Sequence, residues 1–197
     1  MITHKIHDDN GNLKQLIGKM ICVQDEVEEK QMMREKAEKD PLTGIYNREG
    51  FMQKIAAVSK EEISAVCYAV MDIDDFKKVN DTLGHAGGDE ALKMLAEQIQ
   101  NLYPEKSIVA RYGGDEFVLF FWDTKMQKVE MLLDKLVSTM NCDMIYQGVA
   151  KRISISLGAV YTSQKIPYSE LFEAADEVLY QVKKSGKNNY RLVEQKK

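Results

Sequence analysis

A continuous apolar run at residues 65–71 restricts the fold of this 197-residue chain more than any other sequence feature. The run is rich in strand-forming residues and lacks alternating polar positions, which is typical of a strand buried on both faces. Because 44% of the residues are hydrophobic, the chain can bury a core of that kind. The run therefore predicts a central strand, and Asp72 follows directly at its C-terminal end.

The apolar periodicity after this strand predicts a βαββαβ core. The expected elements are a helix over residues 92–102, strands over 108–112 and 117–122, a helix over 129–140 and a strand over 153–161. Gly113 and Gly114 mark a hairpin between the second and third strands. A further helix over 171–182 and an edge strand over 190–193 complete the predicted fold.

We assign this pattern to the α/β (α+β) class with a ferredoxin-like core and additional helices. In that arrangement a right-handed crossover makes strands one and two parallel, and strand one lies antiparallel beside strand three. The C-terminal end of strand one then neighbours the N-terminal end of strand three. The topology therefore brings Asp72 to the same edge as Asp115 and Glu116.

The N-terminal region has a different pattern, with apolar residues spaced alternately by three and four. These residues are Leu13, Leu16, Met20, Val23 and Val27. The spacing predicts an N-terminal helix, either a short parallel coiled coil or a lone amphipathic helix. Pro41 ends the helical region. We therefore divide the chain into an N-terminal helical or coiled-coil signalling segment, residues 1–39, and a folded domain, residues 40–197.

The charge balance argues against a nucleic-acid partner, because a net charge of −4 gives no broad basic face for a phosphate backbone. Three widely spaced cysteines without a CxxC pair indicate neither a disulfide framework nor a zinc site, and they suit a reducing cytoplasm. No apolar run approaches the roughly 20 residues needed to cross a bilayer. We expect a cytoplasmic protein without a signal peptide or membrane span.

The acidic residues expected at the sheet edge are candidate metal ligands. Clustered carboxylates repel one another unless a cation neutralises them, and ligands that are all oxygen select a hard ion such as Mg²⁺. Asp72, Asp115 and Glu116 are the candidates. Any one of them alone is better explained as a solvated loop residue, but the convergence of three favours a metal site.

The residues after Asp72 are suited to anion binding, because the chain leaves a strand for a helix whose first N–H groups are free. Lys77 adds a positive charge there. Lys183 and Lys187 lie near a helix end at Gly186, where they either offset the helix dipole or contact phosphate.

A guanine-binding pair is expected at Asn80 and Asp89. The Asp89 carboxylate can accept hydrogen bonds from the N1–H and amino groups of guanine, which adenine does not offer. The alternatives are helix capping for Asp89 and a turn or cap role for Asn80. His85 is assigned only a position adjacent to the substrate.

Four segments together resemble the GGDEF-domain diguanylate cyclases, over roughly residues 40–193. They are residues 40–48 (DPLTGIYNR), 71–81, 84–89 and 111–117 (RYGGDEF). The resemblance implies a catalytic domain over residues 40–197 with a core of the nucleotide-cyclase and polymerase-palm type. It also implies that two GTP molecules are condensed into cyclic di-GMP with release of pyrophosphate. In that reaction each 3′-hydroxyl attacks the other's α-phosphate across a homodimer. The heptad spacing, not the resemblance, gives the hypothesis that the N-terminal helix joins the two protomers and sets how their active faces meet.

The resemblance also implies roles for individual residues. Asp72, the Ile73 carbonyl, Asp115 and Glu116 would hold Mg²⁺ or Mn²⁺, two ions per half-site, with Asp115 helping to deprotonate the attacking hydroxyl. Lys77 would stabilise the transition state. The phosphates would be contacted by the backbone at Asp75 and Phe76 and by Lys183 and Lys187. Guanine would be contacted by Asn80 and Asp89, with His85 nearby. Gly113 and Gly114 would let the hairpin backbone approach the nucleotide closely.

The sequence departs from the family at one motif, because Pro104-Glu105-Lys106-Ser107 occupies the positions of an Arg-x-x-Asp product-inhibition site. We therefore expect no feedback through that site. Three other functions remain as alternatives: a non-catalytic receptor for GTP or cyclic di-GMP, an interaction protein that works through its N-terminal helix, and a cyclase for a mixed adenine-guanine dinucleotide. The receptor is disfavoured by intact Asp72, Lys77, Asp115 and Glu116, and the interaction protein by the dense set of motifs. Asp89 argues against the mixed product.

Overall fold

The computed structural model describes residues 2–19, 32–33, 37–60, 62–102 and 104–195. The chain divides into two compact units, Met1–Ala37 and Glu38–Lys197. Within the described residues, no helix is both long and apolar enough to cross a bilayer.

The N-terminal unit contains an antiparallel hairpin of β1 (Ile2–His7) and β2 (Leu13–Lys19). The Asp8 carboxylate stabilises the turn between the two strands, because it accepts hydrogen bonds from the backbone N–H groups of Asn10 and Asn12. A polar turn of this kind satisfies its own backbone locally and so fixes the point at which the chain reverses.

The predicted N-terminal helix is therefore wrong for residues 13–19. Asn10-Gly11 is a strong hairpin signal, and Gly11 takes a φ of 80° there. That local preference prevails over a heptad-like spacing that Gly18 already weakens, since glycine is a poor helix former. The later residues of the heptad pattern, Met20, Val23 and Val27, lie outside the described residues.

The second unit is built on a central sheet and a separate hairpin. Its strands are β3 (Val66–Ile73), β4 (Ser107–Gly113), β5 (Glu116–Trp122), β6 (Cys142–Tyr146), β7 (Val149–Ile153), β8 (Ile155–Thr162) and β9 (Tyr190–Glu194). The sheet order is β4-β5-β3-β8-β9, and all neighbours are antiparallel except β8 and β9. The predicted ferredoxin-like core and edge strand are confirmed, with β3 at the centre.

Helices cover both faces of this sheet. They are α1 (Arg48–Val58), α2 (Phe76–Leu102), α3 (Met126–Met140) and α4 (Tyr168–Lys184). Cys67, Ala69 and Met71 of β3 pack in one core with α2 and α3, whereas Tyr68 and Val70 pack in a second core with α1 and α4. Because β3 contributes to both cores, its sequence has no polar face.

The hairpin of β6 and β7 is absent from the predicted fold. Gln147 and Gly148 form its two-residue turn, with φ angles of 49° and 83°. Most of its residues are half-buried or exposed, and charged side chains such as Asp143 and Lys151 interrupt the apolar pattern. Neither an apolar run nor a clear alternation therefore marks these strands in the sequence.

Candidate active site

The strand register brings the predicted acidic residues to one end of the sheet. Asp72 is paired with Glu116 of β5 and with Ser156 of β8. Asp115 immediately precedes β5, in the tight connection from β4. The antiparallel pairing expected from the βαββαβ order thus brings Asp72, Asp115 and Glu116 to the same end of the sheet.

Asp72 is a buried carboxylate whose two oxygens have different surroundings. Only 7% of the residue is exposed. Its Oδ2 is ion-paired with Lys183 Nζ, whereas the buried Oδ1 has no hydrogen-bond partner among the described residues. Burial raises the pKa of Asp72 to about 6; Lys183 opposes the shift, and the charges of Asp115 and Asp74 add to it. An unpaired buried carboxylate oxygen is costly, and a bound cation would satisfy it.

The donors around Asp72 fit a hard cation in type, but they do not form a closed ligand set. Within the part of the chain that the structure describes, no three acidic, histidine or cysteine side chains are grouped so that they could hold a metal ion. Glu116 is exposed and Asp115 is half-buried, so both side chains have room to change rotamer. Lys183 supplies the positive charge beside Asp72 in this arrangement.

Asp74 lies one residue beyond β3 and, unlike Asp72, has partners for both of its oxygens. It is buried and accepts hydrogen bonds from Ser154 Oγ and Ser156 Oγ, each at 2.6 Å, and from the Asn188 backbone N–H at 2.9 Å. These contacts tie the end of β3 to the start of β8 and to the turn after α4. No local sequence pattern indicates this role, because the three partners are 80 or more residues away.

Asp75 immediately precedes α2 and attracts two lysines. Its backbone has a φ of 52°, and its carbonyl oxygen accepts hydrogen bonds from the N–H groups of Lys78 and Val79. Its carboxylate lies 3.0 Å from Lys187 Nζ and 3.3 Å from Lys78 Nζ. Hydrogen bonds from Lys187 and Lys78 lower the pKa of Asp75. Both lysines predicted to contact phosphate, Lys183 and Lys187, therefore reach carboxylates at or just beyond the C-terminal end of β3.

The first turn of α2 carries the other predicted phosphate contacts. Phe76 packs against the core, whereas Lys77 is exposed. The first N–H groups of a helix have no carbonyl partner within it. The backbone of this turn, with Lys77 beside it, is therefore suited to an anion.

A kink in α2 separates the predicted base-binding residues. Gly84 interrupts the helix with φ 75° and ψ 168°. His85 and Asp89 are exposed after the kink, and Asp89 lies inside the resumed helix rather than at its start, so the capping alternative is wrong. A Cβ at Gly88 would lie 1.8 Å from Asn80 Oδ1, so glycine leaves room for the Asn80 side chain in the position that it takes here.

Arg111 fixes the hairpin between β4 and β5. Its Nε donates a hydrogen bond to the Gly114 carbonyl at 2.8 Å, and its Nη1 lies 3.3 Å from each carboxylate oxygen of Asp40. Gly114 has a φ of 54°, a conformation that favours glycine. The φ of Gly113 is not positive. A Cβ at either glycine would meet no atom of the described residues within 4 Å, so these residues leave the space beside the hairpin open.

Asp40 connects this hairpin to the turn at residues 40–44. Its carboxylate accepts hydrogen bonds from the Thr43 N–H at 2.9 Å and the Thr43 hydroxyl at 2.6 Å, in addition to Arg111. Burial raises the pKa of Asp40, but the hydrogen bonds from Thr43 and the charge of Arg111 outweigh burial, so the pKa is lowered. Sequence reasoning identified both residues only as parts of motifs, because their contact spans 71 positions.

Comparison with known proteins matches residues 37–189 to the family described as diguanylate cyclase, GGDEF domain. The probable diguanylate cyclase DgcT of Escherichia coli is 33% identical over 157 residues, covering 77% of this chain and 35% of the relative. Diguanylate cyclase DgcS of Shewanella oneidensis is 35% identical over 156 residues, covering 78% of this chain and 52% of the relative. The cyclic di-GMP phosphodiesterase PdeB of Shewanella oneidensis is 29% identical over 204 residues, covering 100% of this chain and 23% of the relative.

Solved structures agree with these relatives. The coiled coil and GGDEF domain of DgcB from Caulobacter crescentus, in complex with c-di-GMP, has a TM-score of 0.80 at 28% identity, covering 87% of this chain and 93% of that one. Diguanylate cyclase SiaD from Pseudomonas aeruginosa, in complex with its activator SiaC, has a TM-score of 0.74 at 27% identity, covering 87% of this chain and 70% of that one. This chain belongs to the GGDEF diguanylate cyclase family, and it spans between about a quarter and a half of the length of the three curated relatives.

Proposed function

We propose that this GGDEF domain condenses two GTP molecules into cyclic di-GMP and releases one pyrophosphate from each. The observation that carries the proposal is the buried Oδ1 of Asp72, which has no hydrogen-bond partner among the described residues. Asp72 is in register with Glu116, which directly follows Asp115. A carboxylate kept partly unsatisfied at a cost to folding is expected where it serves chemistry rather than structure.

The residues that would hold the metal are Asp72, the Ile73 carbonyl, Asp115 and Glu116, for two Mg²⁺ or Mn²⁺ ions per half-site. When bound, such ions polarise the α-phosphate and make the attacking hydroxyl more acidic. A hard cation would also give the Asp72 Oδ1 the partner that it lacks among the described residues. A cation at Oδ1 would also neutralise the Asp72 charge and so weaken the ion pair between Oδ2 and Lys183, which could then turn to phosphate.

The protein's own groups would handle the proton and the phosphate charge. A carboxylate oxygen of Asp115 would accept the proton of the 3′-hydroxyl, whose oxygen attacks the α-phosphorus of the other GTP as the bond to pyrophosphate breaks. Lys77 would stabilise the charge that develops on the phosphoryl oxygens. Lys187 and the backbone at Asp75 and Phe76 would hold the remaining phosphates.

Guanine would be read by Asn80 and Asp89, with His85 close by. Because Asp89 lies inside the resumed part of α2, helix capping does not account for it. Its exposed carboxylate would accept hydrogen bonds from the guanine N1–H and amino group, and Asn80 would contact the other edge of the base. Adenine offers the opposite pattern of donors and acceptors, so GTP alone is the proposed substrate.

Each domain would supply one GTP, so catalysis would need a homodimer. No feedback is proposed through residues 104–107, where the Ser107 hydroxyl donates to the Pro104 carbonyl at 2.6 Å and the arginine and aspartate of the inhibitory motif are missing. Tight, non-competitive inhibition by added cyclic di-GMP would contradict that part of the proposal.

A second candidate function is a receptor for GTP or cyclic di-GMP, because relatives named as cyclic di-GMP phosphodiesterases contain a similar domain. The test is to incubate the purified chain with GTP and Mg²⁺ and to identify products by mass spectrometry, with Asp115→Ala as the inactive control. Cyclic di-GMP from the wild type alone would support the cyclase. A folded dimer that binds GTP or cyclic di-GMP but makes no product would favour the receptor.

A further inference from the structure

We infer that Asp74 is a positioning residue for phosphate binding: it fixes the turn after α4, which carries Lys187 and follows Lys183. The inference rests on the proposed function, in which these two lysines contact the phosphates of GTP. Asp74 itself would touch neither substrate nor metal, because hydroxyl and amide donors occupy both of its oxygens.

The contacts of Asp74 connect three separate parts of the chain. Its Oδ1 accepts from Ser156 Oγ, while Oδ2 accepts from Ser154 Oγ and from the Asn188 N–H. Its own N–H donates to the Ser154 carbonyl at 2.8 Å. Asp74 thus lies between the central sheet and the turn, and its hydrogen bond to Asn188 joins the two directly.

The turn itself has a backbone that needs such support. Lys187 and Asn188 have φ angles of 63° and 48°, in the left-handed region that residues other than glycine seldom adopt. Two such residues in succession persist only where surrounding contacts hold them. The contacts at hand are Lys187 N–H to the Val182 carbonyl at 3.2 Å, Leu157 N–H to the Asn189 carbonyl at 3.0 Å, and Asn188 N–H to Asp74.

The turn determines where the lysine charges lie. Lys187 Nζ is 3.0 Å from Asp75 Oδ1, and Lys183, one turn earlier on α4, is paired with Asp72. Asp72, Asp74 and Asp75 are thus neighbours in sequence with separate tasks. Asp74 anchors the turn, and the other two carboxylates receive the lysines that the turn and α4 present.

The test measures binding of two probes to the full chain by calorimetry: a non-reactive GTP analogue and guanosine, which has no phosphates. Asp74→Ala should weaken binding of the analogue by about tenfold and leave guanosine binding within about twofold, because only the phosphate contacts depend on the turn. Asp74→Asn can still accept from Asn188 and Ser154, so it should restore most of the analogue affinity.

A double-mutant cycle separates positioning from general destabilisation. In a Lys183→Ala/Lys187→Ala background, Asp74→Ala should cause little further loss of analogue affinity, because the groups that it positions are already gone. Equal losses for the analogue and guanosine, or a full additional loss in that background, would overturn the inference. If Asp74→Ala does not fold, Ser154→Ala, which removes a hydroxyl that donates to the same Asp74 oxygen as the Asn188 N–H, is measured with the same two probes and should again weaken only binding of the analogue.

The controls keep this inference apart from the proposed function. If the wild type binds neither GTP analogue nor guanosine, the proposed nucleotide site is wrong, and the Asp74 inference fails with it. If the wild type binds both probes and Asp74→Ala binds the analogue with unchanged affinity, only the positioning role is wrong. Because binding is measured without turnover, the result holds for a cyclase and for a receptor.

Discussion

The two ends of the β3 and β5 pair each carry an aspartate, and the two carboxylates have opposite surroundings. Asp123 follows β5, and its Oδ1 accepts from the Ser64 N–H and hydroxyl, both at 2.8 Å, while Oδ2 lies 2.9 Å from Lys106 Nζ. Hydrogen bonds from Ser64 and Lys106 lower the pKa of Asp123 to about 2. At the other end, burial raises the pKa of Asp72 to about 6, and one of its oxygens is unpaired among the described residues.

The difference shows how a structural carboxylate can be distinguished from a functional one. Asp123 connects the end of β5 to the start of β3, and folding alone explains each of its contacts. The surroundings of Asp72 disfavour its charged form, which folding alone does not explain. Position at the end of a strand pair is therefore uninformative, whereas the completeness of the hydrogen bonding separates the two residues.

The largest expected effect comes from removing the charge at each end in turn. Asp72→Asn should lower the rate of cyclic di-GMP formation by about a thousandfold or more, because a proposed metal ligand is lost. Asp123→Asn, the matched control, should keep kcat within about twofold. Initial rates at saturating GTP and Mg²⁺ provide the measurement. Similar losses in the two variants would mean that the distinction between the two ends has no bearing on function.

A smaller loss of activity is expected when Arg111 is changed, because Arg111 pairs with the carboxylate of Asp40 near the proposed site. Arg111→Ala would release both Asp40 and the Gly114 carbonyl, and should reduce kcat by about ten- to a hundredfold through misplacement of the hairpin. Arg111→Lys should recover little, since one ammonium group does not reproduce the fork of contacts. Full activity in Arg111→Ala, with an unchanged melting temperature, would show that the hairpin does not need this anchor.

The comparison also shows what the sequence could and could not predict. The apolar run of β3 and the antiparallel pairing rule were enough to predict that Asp72 and Glu116 meet at one end of the sheet. The roles of Asp74 and Asp123 were not predictable, because their partners are remote in sequence and no local pattern marks them. The β1 and β2 hairpin was missed for a different reason, since the turn chemistry at Asn10 outweighed an apparent heptad.

The next effect concerns stability without metal. The folded-state pKa of Asp72, about 6, lies above its ordinary value of 3.8, so its charge destabilises the fold increasingly as the pH rises between these values. Asp72→Asn should therefore stabilise the metal-free protein at pH 8 by on the order of 1 kcal/mol after screening, and the gain should vanish near pH 4. Denaturant unfolding at both pH values measures this. Added Mg²⁺ should stabilise the wild type and not the variant; a variant less stable than the wild type at pH 8 would contradict the prediction.

The smallest effect is expected at Asp123, with the opposite sign. Its lowered pKa means that the charged form stabilises the fold above the ordinary carboxyl value, and that this contribution is lost as the pH falls toward about 2. Asp123→Asn should lower the melting temperature at pH 7 by a few degrees at most, since ion pairs and hydrogen bonds at the protein surface each contribute little. Lys106→Met is the matched variant, because it removes one partner and leaves Ser64 in contact. If Asp123→Asn were as stable as the wild type at pH 7, its hydrogen bonds would contribute nothing measurable, and complete pairing could no longer be taken to indicate a structural role.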